Sequence, residues 1–173
     1  MDAATTTIPM LDASRYFAGD ADELPRLGAQ LRHAFENVGF YYLRGHGVPQ
    51  ALIDATFEQA RRFHAQPLDA KLALRINEHT IGYMPMGGSL ARSSKVNANT
   101  VPSANEAFFL RRERTPDDPD VVAGIRLRGL NRWPDGLPGF RDTVLRYMRA
   151  MESLGRRVMP IYAAALDLPA DFF

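Results

Sequence analysis

The chain has 173 residues, of which 46% are hydrophobic and 24% charged; this suits a single domain over residues 1–173 with a sizeable core, and excludes a disordered tail. Twenty-one Lys and Arg against twenty Asp and Glu leave a formal charge of +1, so no overall field draws in nucleic acid or an anionic membrane, and neither is expected as a partner. Cysteine is absent, which excludes disulfides, thiolate metal sites and cysteine nucleophiles and is compatible with the reducing cytoplasm, the expected location.

The opening stretch MDAATTTIPMLDASRYFAG has neither the basic start nor the apolar run of a signal peptide. Nowhere do about 18 consecutive apolar residues occur, the length needed to cross a bilayer. IPMLD (8–12) reads as a strand, with Pro9 placing it at an edge or at a strand start. Asp22 is a candidate cap for a helix over about 23–37, which carries Pro25 in its first turn and Leu24, Leu27, Leu31, Ala34, Phe35 and Val38 on one face. FYYL (40–43) is too short an apolar run for a helix and suits a strand covered on both sides.

A second helix opens at Pro49 and is expected to turn Ile53, Phe57, Ala60 and Phe63 inward. Pro67 begins a further helical turn through Lys71. From 74 to 105 the periodicity is lost among Gly, Pro, Ser and Asn, which predicts a long loop of the kind that often serves binding. EAFFL (106–110) returns to strand character, and RRERTPDDPD (111–120) mixes charges as a solvated surface turn does. The last element is a long helix over about 141–166. Val144, Met148, Met151, Gly155, Val158, Tyr162 and Leu166 form its apolar stripe, Glu152 stands four residues before Arg156, and Pro160 is expected to bend it.

The four histidines are His33, His46, His64 and His79, and none is followed two residues on by Asp or Glu. The paired ligands of a two-histidine, one-carboxylate iron site are therefore missing, and no HExxH, P-loop or GxGxxG occurs. GGSLA (87–91) has Ala91 where a GxSxG elbow needs its second glycine, and no strand is read before it. Neither a catalytic residue nor a metal ligand is assigned.

His46 lies between Gly45 and Gly47. As a ligand it lacks visible partners. As a turn residue it fits: the glycines accept positive φ while the chain reverses from strand to helix, and the imidazole can bond freed backbone groups. Gly45, His46 and Gly47 are accordingly read as a structural turn.

IPMLD, VGFYYLRGHGVPQALID, FHAQPLDAK, IGY, NEAFFL, NRWPDGLPGFR and ALDLPADFF follow one another in this chain. Their order resembles the N-terminal region of isopenicillin N synthase-like enzymes, the non-haem Fe(II), 2-oxoglutarate-dependent oxygenases. GFYYLRGHGVP and NRWPDGLPGFR are the most specific of these motifs. In that family the histidine of the turn is not an iron ligand; Arg44 and Gly45 replace the usual Asn before it.

The resemblance implies an α+β fold, a helix-rich N-terminal region whose few short strands would join a double-stranded β-helix (jelly-roll) barrel. That barrel, with the iron ligands and the 2-oxoglutarate site, would follow residue 173 and is missing from this chain. Fe(II) and 2-oxoglutarate are thus implied for the whole enzyme and are not expected to bind here, and the chain alone is expected to be inactive. Its partners would be the barrel and a small organic substrate.

Tyr83, Met84, Met86 and Lys95, in and after IGY, are expected to border the substrate mouth. Thr80 and Met84 stand where isopenicillin N synthase has an arginine and a second tyrosine, so penicillin-type ring closure is not implied. The alternatives are a catalytically silent binding or partner domain of the same ancestry, and a complete small enzyme of another type.

Overall fold

A computed structural model describes residues 7–88 and 104–173. The chain divides into two compact units, one formed by residues up to Ile53 together with Arg146–Phe173, the other by Asp54–Leu145.

In the first unit, strand β1 (Met10–Asp12) pairs in parallel with β2 (Tyr42–Arg44), Leu11 opposite Leu43. A parallel pair needs a crossover. It is supplied by α1 (Ser14–Phe17), a 3-10 turn (Ala21–Glu23) and α2 (Leu24–Asn37). Asp22, the expected cap of α2, lies inside the 3-10 turn, which Asp20 caps by accepting the Asp22 amide, and α2 itself starts after Glu23 with no side-chain cap bond. Helix α2 buries Leu27, Leu31 and Ala34, as its spacing predicts, and Leu27 and Leu31 join Leu11, Ala13, Ile161 and Ala165 in one core. A Cβ on Gly28 would lie 2.8 Å from the Ala164 Cβ, so the missing side chain is what lets two backbones approach.

FYYL departs from expectation. Leu43 and Tyr41 pack against the core, while Phe40 and Tyr42 are 56% and 58% exposed. A two-stranded sheet with α2 on one face leaves alternate side chains on the other, so continuous apolar character here does not mean cover on both sides.

In the second unit, β3 (Gly82–Met84) pairs antiparallel with β4 (Ala107–Phe109), Tyr83 opposite Phe108. The expected strand 106–110 is β4, whereas β3 lies inside the stretch read as loop. Its three residues are too few to show a period. Helix α3 (Gln50–His64) begins after Pro49 and buries Phe63, but Phe57 is 73% exposed and Ala60 is also exposed, which corrects the inward face expected for them. The remaining helices are α4 (Leu68–Leu72), α5 (Pro119–Val122) and α6 (Phe140–Ala165), which carries Pro160 inside it.

Phe63, Tyr83 and Phe140 form the core of this unit, with Phe108, Trp133 and Leu137 against them. The Phe63 and Phe140 rings are 5.8 Å apart, within the range where aromatic pairs add to simple burial, and the Phe63 and Phe108 rings lie closer still, at 4.3 Å. RRERTPDDPD is less solvated than its composition suggests. The Arg114 side chain is 9% exposed, bonding Asp118 at 2.8 Å and Asp120 at 3.1 Å.

Candidate functional site

The loop before β3 is built on backbone constraints. The Asn77 side chain accepts from the amides of His79 and Ile81, and Thr80 takes φ 58°. Gly82 has φ 114°, and a Cβ there would lie 2.3 Å from the Leu74 carbonyl oxygen. That carbonyl accepts the Tyr83 amide at 2.7 Å, and the Tyr83 carbonyl accepts the Ile76 amide at 2.8 Å. Only glycine permits this approach, and it fixes the direction in which the following residues leave the strand.

Tyr83 is 2% exposed, with its ring in the aromatic cluster. Met84 is half-buried, and Met86 is 64% exposed. Beyond β3 the chain turns tightly, the Gly88 amide donating to the Pro85 carbonyl at 2.8 Å. A Cβ on Gly88 would lie 2.8 Å from Met84 Cγ, so the methionine occupies the space that the glycine leaves. Of the four mouth residues expected from the sequence, the structure brings Tyr83, Met84 and Met86 together on β3 and this turn; Lys95 lies outside the described residues.

Sequence reading missed the residues beneath that strand. Glu106, directly before β4, meets three elements at once. Its Oε2 accepts from the Tyr83 hydroxyl on β3 and from Lys71 Nζ on α4 at 2.9 Å, while Oε1 lies 3.2 Å from His64 Nδ1 on α3. Lys71 is buried, donates also to the His64 carbonyl at 3.1 Å, and stands 5.2 Å from the centre of the Tyr83 ring.

Donation from the Tyr83 hydroxyl, followed by that from Lys71, holds the Glu106 carboxyl at about 2. Its hydrogen bond to Glu106 keeps the Lys71 ammonium above its ordinary value, and burial pushes the Tyr83 phenol up. One signal for this network was present in the sequence: a lone Lys ending FHAQPLDAK and a lone Glu opening EAFFL, each beside apolar residues.

NRWPDGLPGFR supports the same unit. The Asn131 carboxamide donates to the Arg111 carbonyl and accepts the Arg111 amide, both at 2.8 Å, as a neighbouring strand would. Arg132 donates to the carbonyls of Ala73 and Arg75 at 2.6 and 3.1 Å, just past the end of α4. Trp133 packs edge-on to Phe140.

In the first unit, Gly45 and Gly47 take φ 69° and 77°, and the Val48 amide donates to His46 Nδ1 at 3.1 Å. A Cβ on Gly45 would lie 2.0 Å from Ser14 Oγ. Among the described residues no three His, Cys, Asp or Glu side chains gather in a way that could hold a metal ion. The donor set of a non-haem iron centre is not assembled by them, and no step through iron follows from their geometry. Nor is any described helix long and apolar enough to cross a membrane.

The sequence profile of the family described as non-haem dioxygenase in morphine synthesis N-terminal matches residues 8–136. The 2-oxoglutarate-Fe(II) type oxidoreductase hxnY of Emericella nidulans is 31% identical over 175 aligned positions, covering 98% of this chain and 49% of that protein. Kihadalactone A synthase LFS of Citrus sinensis is 34% identical over 147 positions, covering 84% and 42%. Among solved structures, a Caulobacter crescentus protein assigned to the 2OG-Fe(II) oxygenase family is similar with a TM-score of 0.75 at 26% identity, covering 98% of this chain and 52% of that one. The full-length Neurospora crassa T7H in complex with alpha-KG has the same fold, with a TM-score of 0.77 at 23% identity over all of this chain and 51% of its own. The chain spans about half the length of the curated relatives it matches. With α+β architecture, few short strands and a profile match over most of its length, the chain belongs to the N-terminal region of the non-haem, 2-oxoglutarate and Fe(II) dioxygenase family.

Proposed function

We propose that residues 1–173 act as one region, the scaffold and substrate-mouth half of an Fe(II), 2-oxoglutarate-dependent oxygenase that acts on a small organic molecule. The observation that carries this reading is the alignment with hxnY, which takes in 98% of the chain and 49% of that oxidoreductase. In such enzymes the cofactors supply an oxidant, and the protein's part is to hold the substrate against it. The task of this half is therefore positional.

Met84 and Met86 present apolar, adaptable thioether side chains at the turn after β3, which suits contact with a small organic surface. Tyr83 serves the mouth from behind, through the core and Glu106, and Lys95 is proposed to border the mouth as well. The turn at Gly45, His46 and Gly47 is structural. Fe(II) and 2-oxoglutarate are held by the other half, as is the wall of the site facing this one.

Succinate release from 2-oxoglutarate, measured for the 173-residue chain with Fe(II) and ascorbate, tests the reading. No turnover above the protein-free control is expected. Steady, iron-dependent succinate from the purified chain would make it an enzyme in its own right and refute its assignment as a supporting half.

A further inference from the structure

We infer that Glu106 is a positioning residue for the substrate mouth: its carboxylate ties β3, α3 and α4 to the start of β4 and so fixes where Met84 and Met86 stand. The inference rests on the reading of that turn as the mouth. It goes beyond it by assigning the residue that sets the mouth's geometry.

Three observations carry it. The groups around the Glu106 carboxylate come from three separate elements: Tyr83 on β3 and Lys71 on α4 donate to it, and His64 Nδ1 on α3 lies 3.2 Å from it. Glu106 directly precedes Ala107, the register partner of Met84, so the tie is made one residue from the strand pair that ends at the mouth. Lys71 is buried and has two acceptors, Glu106 and the His64 carbonyl.

A largely buried ion pair such as Lys71–Glu106, with the carboxylate partly exposed, adds little net stability over an apolar replacement of the same volume, because desolvation offsets the attraction. The aromatic rings around it would cluster without it. What the carboxylate supplies instead is direction: a bonded network admits one relative placement of its members, whereas apolar contacts slide.

The test reads methionine methyl resonances in the full 173-residue chain, with no ligand present. Glu106→Gln keeps the volume and removes the charge; Tyr83→Phe removes only the hydroxyl that reaches Glu106. In both variants the Met84 and Met86 methyl signals are expected to shift and to broaden or split. The Met10 and Met159 signals, from the other unit, should keep their wild-type positions, and the far-ultraviolet circular dichroism should remain that of the folded chain. Restoring the carboxylate in Glu106→Asp should recover part of the wild-type Met84 signal.

An unmoved Met84 signal in the folded Tyr83→Phe chain sinks the inference, as does a change spread equally over all the methionines. Tyr83→Phe decides the matter should Glu106→Gln fail to fold. Because no ligand enters, a failed clamp leaves the mouth reading standing. Conversely, a substrate analogue that perturbs neither Met84 nor Met86 would remove the mouth while the clamp persists.

Discussion

Replacing Gly82 with alanine tests the backbone constraint under β3 directly. The added Cβ would lie 2.3 Å from the Leu74 carbonyl oxygen and 3.1 Å from that of Arg75, inside the contact distance of either. Neither carbonyl is free to retreat, since Leu74 accepts the Tyr83 amide and Arg75 accepts from Arg132. A side chain at φ 114° costs about 1–2 kcal/mol by itself. Breaking the Leu74–Tyr83 hydrogen bond to relieve the clash adds about 1 kcal/mol.

The expected loss is therefore about 3 kcal/mol. Gly124→Ala is the control in the same unit, with φ 63° and nothing within 4 Å of the added Cβ, so only the conformational cost of about 1 kcal/mol remains. Trp133 is the one tryptophan of the chain and packs against the core of this unit. Its emission during urea unfolding reports on Asp54–Leu145, and a change in midpoint at constant slope gives the difference in stability. Equal losses in the two variants would refute the steric argument.

The same fluorescence assay tests the Glu106 network through pH. Its folded value of about 2 lies below the ordinary 4.5, so the stabilisation is present in full above pH 4.5 and is lost as pH falls toward 2. With the side chain one-quarter exposed, the loss should be about 2 kcal/mol across that window. Glu106→Gln should flatten the profile, and a wild-type slope persisting in the variant would assign the acid sensitivity elsewhere. His46→Ala removes the acceptor of the Val48 amide and should lower stability by about 1 kcal/mol. Isothermal titration with Fe(II) should give the same trace for both proteins, and an isotherm that vanishes in the variant would make His46 a ligand.

Helices were legible where their apolar residues recur at three and four, as in α2 and the long α6, and where proline marks a first turn, as at Pro49 and Pro67. Faces were less legible than elements. Phe57 obeys the spacing of a buried stripe yet is exposed, because spacing fixes which residues share a side and not which side meets the core. Strand β3 was hidden by its length and by glycine, the residue whose backbone freedom the strand exploits.

At the candidate site, Tyr83 and Met84 could be picked out because a family motif surrounds them. Glu106 could not be picked out in the same way. Its partners Lys71 and His64 lie 35 and 42 positions earlier in the chain, and no local pattern records a meeting between residues so far apart.

The order of residues along the chain bears on how synthesis proceeds. Asp54–Leu145 is one uninterrupted stretch, whereas the other unit needs residues from before Ile53 and after Arg146. On the ribosome the aromatic cluster of Phe63, Tyr83, Phe108 and Phe140 is complete in sequence before Ile161 and Ala165 exist to cover Leu27 and Leu31. Segments fold as units during translation, and contacts distant in sequence close late. The inner stretch is thus born first as a foldable body, and the apolar stripe of α2 waits for the last part of α6. Until that part of α6 is made, Leu27 and Leu31 lack the cover that Ile161 and Ala165 give them in the folded unit.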